Sequence, residues 1–347
     1  MKKLSSILLV LSLFLTGCST SLPLTDAGEA PKKSIKIGVS IYDEYDTFIA
    51  DTVAYLKEWS VEKEKETGTV ITLDIVSAGG SQLTQNDQIE RFADRGYDAV
   101  CVNLVDRTDA TVIIDKARNA DMPIVFFNRE LVEEDLERWD KLYYVGAIAQ
   151  QSGEMQGQIV VDACDERFSE IDINRDGILQ YVMLEGEAGH QDALVRTQSS
   201  VSTVTEAGYE VEKLGDEIAN WNRAQAKTKM NMLLERYANQ IEVVFANDDD
   251  MALGALEALE ESHVTHIPMI VGVNGIPEVL DAIKAKHIEG TVYNDGRGQA
   301  QAILEMSYAL AMGEPFPDQI TLTGEKYVYL PYKIITYNNV QQYISNQ

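Results

Sequence analysis

The chain has 347 residues, with 29 Lys and Arg against 56 Asp and Glu, 4 His, 3 Cys and a formal charge of −27. That acidity repels phosphate and excludes nucleic acid, an anionic membrane surface or a polyanionic substrate as partner. The length points to two domains at ~100–200 residues each, the 45% hydrophobic content supports real cores, and three cysteines are too few for a disulfide scaffold.

Lys2 and Lys3 precede an apolar run from Leu4 to Leu15. The run is shorter than the ~20 residues that span a bilayer, so it reads as an export signal. It ends Leu15-Thr16-Gly17-Cys18, which resembles the bacterial lipobox. The resemblance implies cleavage after residue 17 and lipidation of Cys18. Residues 18–33, rich in Ser, Thr, Pro and Gly, read as a flexible tether. The protein is therefore expected to be exported and held at the cell membrane by lipid, facing the exterior or periplasm. Cys101 and Cys164 read as small buried hydrophobes.

From Ile35 the pattern alternates. Strands are expected at 35–41, 70–76, 99–104 and 123–127, with helices at 47–67, 85–95 and 110–120 between them. The strands are nearly continuous in apolar residues, as in parallel sheets covered on both faces. The pattern restarts with strands at 142–146, 179–185, 241–246, 267–273 and 290–293. Helices are expected at 152–168, 192–207, 251–261 and 277–286. A helix at 299–312 and a strand at 327–330 follow. Two doubly wound α/β lobes are expected, with a ligand cleft outside the carboxyl ends of the strands.

Polar residues cluster at those strand ends. Asp43, Asp46 and Phe48 follow the first strand, and Asn103 and Asp106 the third. Asn128, Arg129 and Glu130 follow the fourth; Glu187, His190, Asp192 and Arg196 follow 179–185. Asn247 to Asp250, Asn274 and Asn294 with Asp295 close the set. No Gly-rich phosphate loop, nucleophile elbow or Cys–His pair with catalytic spacing is present. Amides, carboxylates and an Arg suit sugar hydroxyls, each of which both donates and accepts. For a single Asp or Asn, a helix cap is the ordinary role; here nearly every strand end carries one. A glycosidase using Asp46 and Asp192 as paired carboxylates is the enzyme alternative; nothing in the sequence prefers it, and no enzyme is expected.

Asp172-Ile173-Asn174-Arg175-Asp176-Gly177-Ile178-Leu179-Gln180 has oxygen ligands at positions 1, 3, 5 and 9 of an EF-hand-like loop, with Gly at 6 and a carbonyl available from Ile178. Position 12 is Met183 rather than Glu. Either another segment supplies that carboxylate or the match is a chance turn; Gln180 and the strand that follows favour structural Ca²⁺.

Gln85–Ile89, Asn103–Asp106, Val125–Asn128, Tyr143–Gly146, Gly189–Asp192, Ala224–Lys227 and Gly290–Asp295 together resemble the galactose/glucose-binding branch of the type I periplasmic binding protein family, over essentially the whole chain from Ile37. The resemblance implies a monomeric receptor for an ABC transporter permease or, as alternative, a sugar sensor for a chemoreceptor or kinase. It implies lobes at 34–125 with 296–329 and at 126–295 with 330–347, crossing near Phe126, Asn294 and Tyr329. Its sugar contacts fall on Asp46, Asn103, His190, Asp192, Arg196 and Asn294, with stacking rings at Phe48 and Trp221. Asp248 and Asn274 depart from the pattern, a carboxylate and an amide having exchanged places. The calcium ligands fall on Asp172, Asn174, Asp176, the Ile178 carbonyl, Gln180 and, for the carboxylate missing at Met183, Glu242.

Overall fold

The computed structural model describes residues 33–262 and 264–345; the expected signal at 1–17, Cys18 and the tether up to residue 32 lie outside the described residues. The first half alternates strand and helix: β1 (Ser34–Ile41), α1 (Thr47–Thr67), β2 (Val70–Ser77), α2 (Gln82–Asp94), β3 (Ala99–Val102), α3 (Thr111–Asn119), β4 (Ile124–Phe127), α4 (Glu133–Leu136) and β5 (Leu142–Gly146). The second continues with α5 (Ala149–Ile171), β6 (Ile178–Glu185), α6 (Gln191–Glu206), β7 (Glu210–Ile218), α7 (Arg223–Tyr237), β8 (Val243–Ala246), α8 (Asp249–Glu261), β9 (Met269–Asn274), α9 (Pro277–Lys284) and β10 (Gly290–Tyr293). It ends α10 (Gly296–Met312), β11 (Tyr327–Tyr329), β12 (Lys333–Thr336) and α11 (Val340–Ile344).

The strands form two six-stranded sheets, in the orders β11-β5-β4-β3-β1-β2 and β12-β10-β9-β8-β6-β7. The first is parallel throughout; in the second only β12 runs antiparallel, against β10. Central strands such as β3, β4 and β8 are buried along their whole length, so their apolar runs pack helices on both faces. Ile37, Val39, Val125, Ala300 and Ile303 share one core beneath α1 and α10, and Val244, Ile270, Met251 and Val279 share another in the second lobe. Cys101 and Cys164 are free and buried.

The lobe boundary at 125/126 is corrected by the hydrogen-bond ladder. Val125 pairs with Cys101 on one side and Tyr143 on the other, so β4 and β5 both belong to the first sheet. A strand with both ladders filled is not a crossing. Among the described residues the chain passes between sheets after Gly146, after Tyr293 and after Tyr329. Five elements, α4, β7, α7, β12 and α11, were not expected. β7 is an edge strand with mixed exposure and a register shift opposite Tyr181 and Val182, and α7 is largely polar. The expected strand at 99–104 ends at Val102, which leaves Asn103 beyond its carboxyl end.

One buried carboxylate ties the second sheet's strand ends together. Asp249, the first residue of α8 and fully buried, accepts from Gly275 N–H (2.6 Å), Ile276 N–H (3.0 Å) and Thr291 Oγ1 (2.6 Å). Burial pushes its carboxyl up to about 6. Asp249→Ala strips three buried donors of their acceptor and is expected to cost about 2–3 kcal/mol in urea unfolding, since such orphaned groups cost ~1–3 kcal/mol. An unchanged midpoint would contradict this account.

Candidate functional site

The strand ends of both sheets face one another across a narrow cleft. On the first lobe, Asp46 caps α1: its Oδ1 accepts from Ile49 N–H at 3.0 Å and its Oδ2 from the Tyr42 hydroxyl at 2.6 Å. Phe48 follows in the first turn, against Gly296, where a Cβ would stand 3.2 Å from the ring. After β4, Asn128 adopts a left-handed conformation (φ 62°) and Arg129 lays its guanidinium 3.7 Å over the Tyr42 ring. Arg129 is held by the Val105 carbonyl (2.7 Å) and, across the cleft, by Glu187 (2.6 Å).

On the second lobe, His190 caps α6. Its Nδ1 accepts from Asp192 N–H at 3.1 Å, which places the ring proton on Nε2. Asp192 and Arg196 lie one turn apart on α6, with Oδ2 and an arginine amino nitrogen 3.8 Å apart. Arg196 is 6% exposed and donates to Ser152 Oγ (2.8 Å), the Asn247 carbonyl (2.9 Å) and the Tyr332 hydroxyl (3.1 Å). Trp221 stands edge-on to His190 at 5.1 Å. Its seat requires Gly186, where a Cβ would fall 2.1 Å from the indole. Asp248 caps α8 through Met251 N–H (2.8 Å). Asn274 (φ 124°) and Asn294 end β9 and follow β10, with their amides 3.4 Å apart; Gln299 steadies Asn294 at 2.6 Å.

Asp46, Phe48, His190, Asp192, Arg196, Trp221, Asp248, Asn274 and Asn294 thus share one pocket, which encloses about 30 Å³. Asn103 does not line it. It is fully buried behind Asn128, its amide spent on Tyr42 N–H (3.3 Å) and Asn128 Oδ1 (3.1 Å). Tyr42, Asn128 and Arg129 line the pocket without having been among the expected contacts. Asn128 and Arg129 carried the strand-end signal; Tyr42 carried none, because an aromatic residue after a strand usually means core.

Burial dominates the electrostatics. It raises the carboxyls of Asp46, Asp192 and Asp248 above the ordinary range; the neighbouring carboxylates Asp250 and Asp46 push Asp248 further. It lowers His190 to about 2, aided by Arg129, Arg196 and Arg107. His190 is therefore neutral and offers one N–H.

The loop at 172–180 closes on itself. Asp172 accepts from the N–H groups of Arg175, Asp176 and Gly177 at 2.7–3.2 Å. The Asn174, Asp176 and Gln180 side chains lie 3.0–3.1 Å apart. Glu242 is 1% exposed and reaches in from the segment before β8, accepting from Ile173 (2.7 Å) and Gln180 (3.0 Å) N–H. Among the described residues no three His, Cys, Asp or Glu side chains are gathered to hold a metal by themselves. The donor set nevertheless suits a hard cation, because the amide oxygens of Asn174 and Gln180 and the Ile178 carbonyl supplement the carboxylates.

The fold and site define a two-lobed solute receptor. Residues 37–315 match the periplasmic binding protein domain, and the chain belongs to that family of solute-binding proteins. It is 36% identical over 280 residues to the D-galactose/methyl-galactoside binding periplasmic protein MglB of Haemophilus influenzae, covering 80% of this chain and 82% of that one. It is 26% identical over 333 residues to a putative rhizopine-binding protein of Rhizobium meliloti, covering 95% and 98%. An ABC transporter solute binding protein from Bacillus halodurans with bound myo-inositol superposes with a TM-score of 0.75 at 26% identity, covering 91% of this chain and 99% of that one. No helix among the described residues is long and apolar enough to cross a membrane.

The folded-state pKa of His190 lies below its ordinary 6.5. Only the unfolded chain takes up that proton, so its contribution to stability is whole above about pH 6.5 and falls as the pH drops from there. In NMR, the His190 ring resonances are expected to stay flat from pH 8 to pH 5. A midpoint near 6.5 would show a solvated imidazole and contradict the geometry.

Proposed function

We propose that this chain is an extracytoplasmic receptor that binds one hexose, galactose or glucose, in the interlobe cleft and delivers it to an ABC transporter permease, without chemistry of its own. The observation that carries the reading is the pairing of two aromatic faces, Phe48 and Trp221, with a ring of buried carboxylates, amides and a guanidinium from nearly every surrounding strand end. Flat apolar faces suit the C–H faces of a pyranose, and the polar ring suits its hydroxyls. The 36% identity to a galactose-binding relative supports the same ligand class. The pocket's small volume requires the lobes to part for entry, so the ligand selects a closed state by binding it better than the open one. Asp248 and Asn274 together keep one carboxylate and one amide, which preserves acceptor capacity while resetting which hydroxyl orientation each meets. Cys18 is the proposed lipid attachment.

Titration with galactose and glucose is expected to give a saturable change in Trp fluorescence. Trp221→Ala is expected to weaken binding about tenfold or more, as loss of a central aromatic anchor does. No saturable response to either sugar at millimolar concentration would overturn the reading.

Calcium is proposed as a structural ion held by Asp172, Asn174, Asp176, Gln180, Glu242 and the Ile178 carbonyl, where it would neutralise the loop's carboxylates. An ion bound only by the folded chain raises its stability. The melting temperature is therefore expected to rise with Ca²⁺ and fall with chelator, and Asp176→Ala is expected to abolish the difference. Identical wild-type melts in both conditions would exclude the site.

A further inference from the structure

The cleft pocket is lined by three carboxylates, Asp46, Asp192 and Asp248, and two guanidiniums, Arg129 and Arg196. Both cations are already matched. Arg129 is bound across the cleft by Glu187 at 2.6 Å, and Arg196 faces Asp192 at 3.8 Å. His190, kept neutral by burial, adds no charge. Asp46 has no cation of its own, but both its oxygens accept hydrogen bonds, from Ile49 N–H and the Tyr42 hydroxyl.

Asp248 differs from the other two. It is 6% exposed and lines the same pocket. Its Oδ1 accepts from Met251 N–H at 2.8 Å as the cap of α8. Its Oδ2 accepts no hydrogen bond from the described residues, yet it is not one of the buried side-chain atoms sealed off without a partner. Oδ2 is therefore the oxygen that Asp248 presents to the pocket. Neither guanidinium of the pocket forms an ion pair with it. The charges that push on it most, Asp250, Asp46 and Asp249, are all negative. Buried charges are ordinarily paired, and one without a counter-charge is costly.

A sugar hydroxyl can give Oδ2 a hydrogen bond but no countercharge. A primary ammonium gives both, with N–H donors to spare, and hydrogen bonds to ionised groups are roughly twice as strong as neutral ones. The pocket encloses only about 30 Å³ and has no room for a large substituent, whereas an amine is close in size to the hydroxyl it replaces. We infer that the cleft also accepts an amino hexose, in which one hydroxyl is replaced by a protonated amine that sits against Asp248 Oδ2. The inference rests on the hexose reading of this pocket. The remaining hydroxyls meet the same polar ring as those of the neutral sugar, so the amine changes one contact.

The test is calorimetric titration at about pH 6.5, where a primary amine carries its proton. The probes are glucose, galactose and their singly aminated deoxy analogues, one for each non-anomeric hydroxyl. At least one amino analogue is expected to bind as tightly as its parent hexose or up to about tenfold tighter. Asp248→Asn removes the charge and keeps a good cap on α8. It is expected to lower the ratio of amino to parent affinity about tenfold or more. Asp248→Ser, also a cap former, reads the same ratio if the asparagine variant does not fold. Binding of a neutral hexose with every amino analogue weaker than its parent overturns the inference. So does a ratio that the charge-removing variant leaves unchanged. Silence toward every sugar, neutral or amino, overturns the hexose reading itself.

Discussion

Arg196 carries a full charge at 6% exposure, and the cleft is organised around satisfying it. A buried charge is tolerated only when it is paired and hydrogen-bonded. Ser152 from α5, the Asn247 carbonyl beyond β8 and Tyr332 before β12 supply the bonds, and Asp192 supplies the countercharge. These partners come from distant parts of the chain, so one guanidinium draws the second lobe's strand ends and helix starts into a fixed arrangement. On the opposite wall, Asp46 is held by Tyr42, and Tyr42 lies under Arg129. Arg196 is thus held from behind by Ser152, Asn247 and Tyr332, none of which lines the pocket. Such second-layer support is what keeps a binding site preorganised.

The same burial that orders the site suits it, on the proposed reading, to neutral, hydroxyl-rich matter. Raised carboxyls at Asp46, Asp192 and Asp248 record the cost of removing water from them. Hydroxyl groups restore what water gave, whereas a carboxylate or phosphate ligand would add repulsion to an already acidic wall. The chain's charge of −27 bears on this only indirectly. It rules out polyanions, but a neutral ligand is not steered by it, and most acidic side chains serve the solvated surface.

The central strands were legible because burial on both faces leaves a continuous apolar run, as in Val100–Val102 and Val243–Ala246. β7 was not, since an edge strand with one ladder tolerates Glu, Lys and Gly. α7 was not, because its residues are mostly polar and only Ala226, Met230, Leu233 and Leu234 are buried. The lobe boundary failed for a different reason: sheet membership depends on pairing between strands far apart in sequence, and an apolar run such as Ile124–Phe127 looks the same in either sheet. Most polar pocket residues were legible as caps and strand-end polar groups; Tyr42 was not, and Trp221 came only from the resemblance. Asn103 looked like the others, yet its amide is consumed by Tyr42 N–H and Asn128. Local sequence does not reveal whether a strand-end amide faces the cleft or braces a neighbour.

On the proposed reading, paired polar contacts rather than ring stacking decide which sugar the cleft keeps. Calorimetric titration with a series of monodeoxy hexoses tests this directly. Each missing hydroxyl that faces Asp46, Asp192, Arg196 or Asp248 leaves a buried charged partner unpaired. Several members of the series are therefore expected to bind about 10- to 100-fold more weakly than the parent sugar, the range for hydrogen bonds to charged groups. Monodeoxy sugars that all bind as tightly as the parent would contradict the account and leave Phe48 and Trp221 as the only determinants.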